Sequence, residues 1–172
     1  MKRRDFIISS LLAVGGTALL GSCKGADKDN ARRLREGMVL TRKFQDLDIP
    51  LLSMGCMRLP TVDGLIDVPH VERMTDYAMK HGVNYFDTSP VYVQGWSEKA
   101  TGIALKRHPR EKIFIATKLS NFRDHSRESG LAMYRKSMED LQTDYIDYYL
   151  LHYLGSGVAE AFNQRNVDNG LL

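Results

Sequence analysis

Four side chains of complementary chemistry stand at or just beyond the ends of short apolar runs. Val83 to Phe86 leads into Asp87, Ile113 to Thr117 into Lys118, and Tyr145 to Leu151 into His152. Tyr92 follows Asp87 across the turn-rich segment Thr88-Ser89-Pro90-Val91. An apolar run that ends in a polar residue is the pattern of a buried parallel strand delivering a functional group at its carboxyl end. An acid, a phenol, an amine and an imidazole are therefore expected to converge on one face of a βα-repeat sheet.

The residue types suggest a reaction. A phenol ordinarily gives up its proton only near pH ~10, and an adjacent ammonium favours the phenolate. Lys118 could serve Tyr92 in this way, Asp87 could hold the lysine charged and in place, and His152 could donate a hydrogen bond to a carbonyl oxygen. Such a group suits carbonyl reduction, in which hydride reaches carbon while a proton is delivered to oxygen. Taken singly, each residue has a plainer role: Asp87 as a turn former, Lys118 as a solvated strand end, His152 as a hydrogen-bonded core histidine. Their conjunction points to catalysis. On spacing alone Tyr148, Tyr149 and Tyr153 compete with Tyr92, because they fall near the same face.

The run Gly82-Val83-Asn84-Tyr85-Phe86-Asp87-Thr88-Ser89-Pro90-Val91-Tyr92, with Ser97-Glu98, Ala116-Thr117-Lys118 and Leu150-Leu151-His152, resembles the aldo/keto reductase family over about Val39 to Tyr153. The resemblance implies a (β/α)8 barrel and a nicotinamide cofactor, usually NADPH, with NADH the alternative. It implies Tyr92 as general acid, Asp87 and Lys118 as the residues that tune it, and His152 as the group that orients the substrate carbonyl. Gly55 and Met57, at the end of the first barrel strand, and Asp87 would lie on the nicotinamide side of the cofactor. The substrate would be a small aldehyde or ketone, or an alcohol in the reverse reaction.

These side chains need a regular scaffold, and the sequence supplies one. Leu40 to Phe44 and Ile49 to Ser53, parted by Gln45-Asp46-Leu47-Asp48, suggest a hairpin, which in the resembling family plugs the base of the barrel. Leu51 to Met57 is expected to be the first barrel strand. Asp67-Val68-Pro69 starts a helix with Val71, Met74 and Ala78 on its inner face, closed by Gly82. A second helix starts at Ser97, with Glu98 favourable to its dipole, and ends before His108-Pro109. A third spans about Ser126 to Leu141, with Leu131, Tyr134, Met138 and Leu141 as its apolar stripe. A weaker, polar helix is expected within Val158 to Asn169.

The amino terminus reads as an address. Residues 1–22 carry Arg3-Arg4-Asp5-Phe6-Ile7, which resembles a twin-arginine signal, followed by an uncharged run from Phe6 to Leu20. That run is shorter than the ~20 residues a membrane span needs and suits the core of a signal peptide. An ordinary secretory signal containing two arginines is the alternative. Leu19-Leu20-Gly21-Ser22-Cys23 resembles a lipoprotein box, making Cys23 a candidate lipid anchor, with cleavage nearby without lipid as the other outcome. The expected location is outside the cytoplasm of a bacterium, either periplasmic or anchored on the outer side of the inner membrane. Residues 23–37 read as a polar linker and 38–172 as the folded part.

Composition excludes several partners. Removing the three basic and one acidic residues of 1–22 from totals of 24 and 21 leaves 21 and 20, a net charge of +1. That balance does not support a nucleic-acid partner. Two cysteines, Cys23 and Cys56, support no disulfide framework, and the five histidines lack metal-ligand spacing.

The folded part supplies four strands, whereas a (β/α)8 barrel needs eight and about 250 residues. The chain is thus expected to be the first half of the barrel, from a truncated product or an incomplete record, poorly soluble and little active alone. In relatives the second half carries most of the phosphate and adenine contacts, and some exported relatives add an iron-sulfur module. The competing reading is a membrane-anchored scaffold or binding protein that keeps the half-barrel without turnover.

Overall fold

The computed structural model describes residues 37–153, 159–168 and 170. The expected signal over 1–22, the lipid site Cys23 and all but the last residue of the linker lie outside the described residues. The chain divides into two compact units, Met1–Met38 and Val39–Leu172, and the architecture below is that of the second.

A hairpin opens it, β1 (Thr41–Phe44) with β2 (Leu47–Pro50), antiparallel and in register from Thr41↔Pro50 to Phe44↔Leu47. The connection is two residues, Gln45-Asp46, and not the four expected. Leu47 and Asp48 join the ladder because Gln45 turns the chain at φ 54, which brings Asp48 opposite Lys43 for an exposed ion pair at 3.0 Å. The first barrel strand is likewise shorter than the expected Leu51 to Met57. Only β3 (Met54–Gly55) is laddered, at a sheet edge with one neighbour, while Leu51, Leu52 and Met57 are exposed. A small hairpin, β4 (Thr61–Val62) and β5 (Leu65–Ile66), follows.

Strands and helices then alternate: α1 (Val68–Lys80), β6 (Tyr85–Asp87), α2 (Ser97–Leu105), β7 (Phe114–Leu119), α3 (Arg127–Leu141), β8 (Tyr148–Leu151) and α4 (Ala159–Asn166). The main sheet has the order β3-β6-β7-β8 with every pairing parallel. A parallel sheet with helical crossovers is the expected α/β architecture, and it matches part of a (β/α)8 barrel.

Local chemistry sets the element ends. Asp67 accepts the His70 N–H at the start of α1, Pro69 stands in its first turn, and Gly82 follows its end at φ 86, a conformation glycine adopts without a Cβ penalty. Ser126 caps α3 through the Ser129 N–H. The buried faces of α1 and α3 differ from expectation. Val71 and Thr75 face inward in α1 while Met74 is exposed. In α3 the deepest positions are Gly130, Ser137 and Leu141, so the stripe is rotated from the one drawn through Leu131 and Met138. Small residues lie deepest where α2 and α3 approach each other. There a Cβ on Gly102 would come within 2.6 Å of the Asp140 carbonyl oxygen.

β8 begins three residues later than the apolar run, because Tyr145 and Asp147 are claimed by Arg110. Its guanidinium donates to Thr143 Oγ1, the Ile113 and Tyr145 carbonyls and Asp147 Oδ2, all at 2.8 Å or less. The core lies between sheet and helices. Phe86 and Ile115, partners in the ladder, pack there with Val71, Ala104, Leu105, Ile113 and Leu141. The opposite face carries Tyr85, Phe114 and Tyr148, whose rings meet at 5.3–6.4 Å, and it is only partly covered.

Candidate active site

The alternation of β7 places Ala116 and Lys118 on the less covered face and Ile115 and Thr117 toward the helices. Lys118, expected at the carboxyl end of its strand, is the penultimate residue of β7. Asp87, the last residue of β6, is on the same face, and the Thr88 N–H donates to the Ala116 carbonyl at 2.9 Å to extend the pairing. His152 directly follows β8 and donates its backbone N–H to Leu119. Three adjacent parallel strands thus deliver three of the four residues.

Tyr92 comes from a loop pinned at both ends. Its backbone N–H donates to the Ser89 carbonyl at 3.1 Å. Beyond it, Ser97 Oγ donates to the Cys56 carbonyl at 2.6 Å and meets Thr88 Oγ1 at 2.9 Å, tying the first turn of α2 to the ends of β3 and β6. Between these anchors Val93 and Gln94 take left-handed conformations, φ 48 and 55, which close the loop tightly. That conformation is unfavourable for β-branched Val93.

The four residues come together. Lys118 Nζ donates to Asp87 Oδ1 at 2.6 Å and to the Thr88 carbonyl at 2.8 Å, with the lysine side chain only 12% exposed. The same ammonium lies 4.7 Å from the centroid of the Tyr92 ring, and the His152 ring meets the Tyr92 ring edge-on at 5.6 Å. Burial and the Lys118 charge push the pKa of His152 down, against the pull of Asp87, so its imidazole is neutral at pH 7. The competing tyrosines are elsewhere. Tyr148 joins the aromatic cluster with Tyr85 and Phe114, Tyr149 packs on Tyr134, and Tyr153 is 70% exposed.

Gly55 pairs in register with Asp87 and is exposed. It has no positive φ, and a Cβ there would meet nothing within 4 Å, so neither backbone geometry nor packing within the chain calls for glycine. Met57, 55% exposed, is two residues on. An open, side-chain-free strand end beside Asp87 fits the approach of a flat ring such as a nicotinamide.

A profile of the aldo/keto reductase family matches residues 51–159, which contain all four site residues. The chain belongs to the aldo/keto reductase family. Among reductases of known sequence, it is 34% identical over 116 residues to the uncharacterized oxidoreductase YqkF of Bacillus subtilis, covering 62% of this chain and 36% of that protein. It is 40% identical over 80 residues to the glyoxal reductase of the same organism, covering 45% and 28%. Among solved structures, the holo form of an aldo-keto reductase from Bacillus halodurans superposes with a TM-score of 0.56 at 29% identity, covering 77% of this chain and 48% of that one. The Bombyx mori aldo-keto reductase solved with NADP gives 0.54 at 24%, covering 72% and 41%. The chain spans about a third of the length of the curated relatives it matches and about half that of the solved ones.

Two side chains at this candidate site went unnoticed in the sequence. Ser120 Oγ lies 2.7 Å and Ser89 Oγ 3.1 Å from His152 Nδ1, and the two hydroxyls are 3.1 Å apart. Ser120 had a usable signal, since it stands two residues after Lys118 and so continues the same face of the strand. Ser89 had none beyond its nearness to Asp87. Glu98 stands in the first turn of α2 as expected of a helix-dipole partner, and it is also 1% exposed on the helix side of the sheet, where Thr117 Oγ1 donates to it at 2.5 Å.

Proposed function

We propose that this protein is an oxidoreductase that reduces aldehydes or ketones to alcohols with a reduced nicotinamide dinucleotide, NADPH being the family's usual donor. The observation that carries the reading is the placement of Lys118 Nζ between the Asp87 carboxylate and the Tyr92 ring, with His152 beside the same ring.

Among the described residues the Tyr92 hydroxyl has no hydrogen-bond partner, which leaves it free to meet a substrate oxygen. A carbonyl oxygen placed there accepts one hydrogen bond from Tyr92 and one from the neutral His152 ring, so the two donors orient it and polarise the carbon. Tyr92 gives its proton to that oxygen as negative charge develops on it. Lys118 stabilises the resulting phenolate, and Asp87 keeps the ammonium from turning away. Gly55, Met57 and Asp87 would border the nicotinamide, which when bound supplies the hydride to the carbonyl carbon. The sheet's two edge strands, β3 and β8, have one neighbour each, so efficient turnover is expected from a closed barrel and little from residues 38–172 alone. We further propose export through the signal over residues 1–22, with Cys23 as lipid anchor.

The test is NADPH oxidation by the native product over a panel of aldehydes and ketones, with Tyr92→Phe as comparison. The variant should lose roughly 10²–10⁴-fold in kcat, the span of general acid–base contributions. Equal rates in the two proteins would remove Tyr92 as the acid and with it this reading.

A further inference from the structure

We infer that Ser120, backed by Ser89, is a positioning residue that locks His152 in the tautomer with its proton on Nε2, the form that can donate to a substrate carbonyl. The inference rests on the proposed carbonyl reduction for its purpose, but its geometry stands without it.

A neutral imidazole has one donor nitrogen and one acceptor nitrogen, and the partner of the buried nitrogen decides which is which. At His152 the nitrogen engaged by the chain is Nδ1, and both hydroxyls that reach it can either give or take a proton. Their own surroundings choose the direction. The Val91 N–H points at Ser89 Oγ at 3.4 Å and can only donate, which occupies a lone pair of Ser89. The Ser89 hydroxyl hydrogen then has two acceptors at 3.1 Å, Ser120 Oγ, which continues the relay, and His152 Nδ1, which would make that nitrogen an acceptor directly. The Ser120 hydrogen in turn has two acceptors within reach, the Lys118 carbonyl at 3.4 Å and His152 Nδ1 at 2.7 Å. The shorter contact wins, since hydroxyl bonds are most favourable near 2.7–2.8 Å. The resulting chain runs from the Val91 N–H through Ser89 and Ser120 to Nδ1, each member polarising the next in the same sense. Nδ1 is left as the acceptor, and the proton resides on Nε2.

Packing holds the ring in this arrangement. Tyr92 meets it edge-on at 5.6 Å and Phe122 lies 5.3 Å away. The charged groups that act on it are Lys118 and Asp87, of which the nearer in effect, Lys118, disfavours a second proton. Both serines are at least nine-tenths buried, so water does not compete readily for these hydroxyls.

The test reads the tautomer directly. The protein, labelled with 15N in its histidine rings, is examined at pH 7.5 by long-range 15N–1H correlation NMR, with His152 assigned by the loss of its signals in His152→Asn. The expected wild-type result is a protonated, pyrrole-type Nε2 and a pyridine-type Nδ1. Ser120→Ala should convert this single form into a mixture, and Ser120→Thr, which keeps the hydroxyl, should restore it. A wild-type ring protonated on Nδ1 overturns the inference and needs no variant. An unchanged tautomer in a folded Ser120→Ala protein overturns it as well. Because no turnover is measured, a correct tautomer in a protein that reduces no carbonyl would refute the proposed function while leaving the relay intact.

Discussion

Lys118 holds the site together at the scale of single residues. It has two anchors, Asp87 Oδ1 at 2.6 Å and the Thr88 carbonyl at 2.8 Å, and it is nearly enclosed, so its charge acts through little intervening water. The carboxylate at Asp87 is the more replaceable anchor for folding and the less replaceable one for charge. Asp87→Asn keeps the shape but leaves the ammonium facing only neutral oxygens. The expected cost is about 1.5–3 kcal/mol of stability, the worth of a hydrogen bond to a charged group, read from urea denaturation. Carbonyl reduction should fall with it, whereas a purely structural Asp87 would lower stability and leave the rate per folded molecule unchanged. Neutral His152 belongs to this scale too. Its depressed pKa favours the neutral ring beside Lys118, with one nitrogen donating and the other accepting.

At the scale of elements, the site depends on how closely the helices let the strands be held. α2 crosses α3 at Gly102, where an added Cβ would lie 2.6 Å from both the Asp140 carbonyl oxygen and the Leu141 carbonyl carbon. These are backbone atoms and cannot swing aside. Gly102→Ala gains helix propensity but must push the helices apart, and overpacking of this kind costs typically 1–3 kcal/mol. Thermal unfolding should therefore show a lower midpoint in the variant. A midpoint equal to or above that of the parent would mean that the two helices do not meet as described. Because Ser97 ties the start of α2 to Cys56 and Thr88, the same displacement should reach the Tyr92 loop.

At the scale of the whole molecule, the buried charge on the helix side of the sheet makes folding sensitive to pH. Burial pushes the Glu98 carboxyl above its ordinary range, against the hydrogen bond from Thr117 that lowers it. Between the ordinary carboxylate pKa, about 4.3, and the raised folded value, the native protein holds more protons than the unfolded chain. The Glu98 contribution to stability is thus fully present below that range and is lost as pH rises through the folded pKa. Glu98→Gln, which keeps the Thr117 contact without the charge, should flatten this part of the profile and be relatively more stable at pH 8 than at pH 4.5. Parallel profiles for the two proteins, from urea titrations across that range, would show that Glu98 is not the source. The molecule's other face is the partly covered one, where Tyr85, Phe114 and Tyr148 cluster and Leu150 is exposed; a closed barrel would bury them.

Periodicity and residue type were enough to read the βα alternation, the helix starts at Asp67 and Ser97, the strand that precedes His152 and the delivery of Asp87, Lys118 and His152 to one candidate site. Those features are local, set by apolar spacing, caps and turn formers acting over a few residues. What the tertiary structure decided was pairwise and long-range. Edge pairing reduced the first barrel strand to Met54–Gly55, and the demands of Arg110 on Tyr145 and Asp147 delayed the start of β8. The approach of two helices favoured small residues over the apparent apolar stripe of α3. Only the packed sheet could choose Tyr92 over three other tyrosines, bury Glu98 or bring Ser89 and Ser120 onto one imidazole nitrogen. Each of those outcomes depends on distances between residues remote in sequence, which no one-dimensional pattern contains.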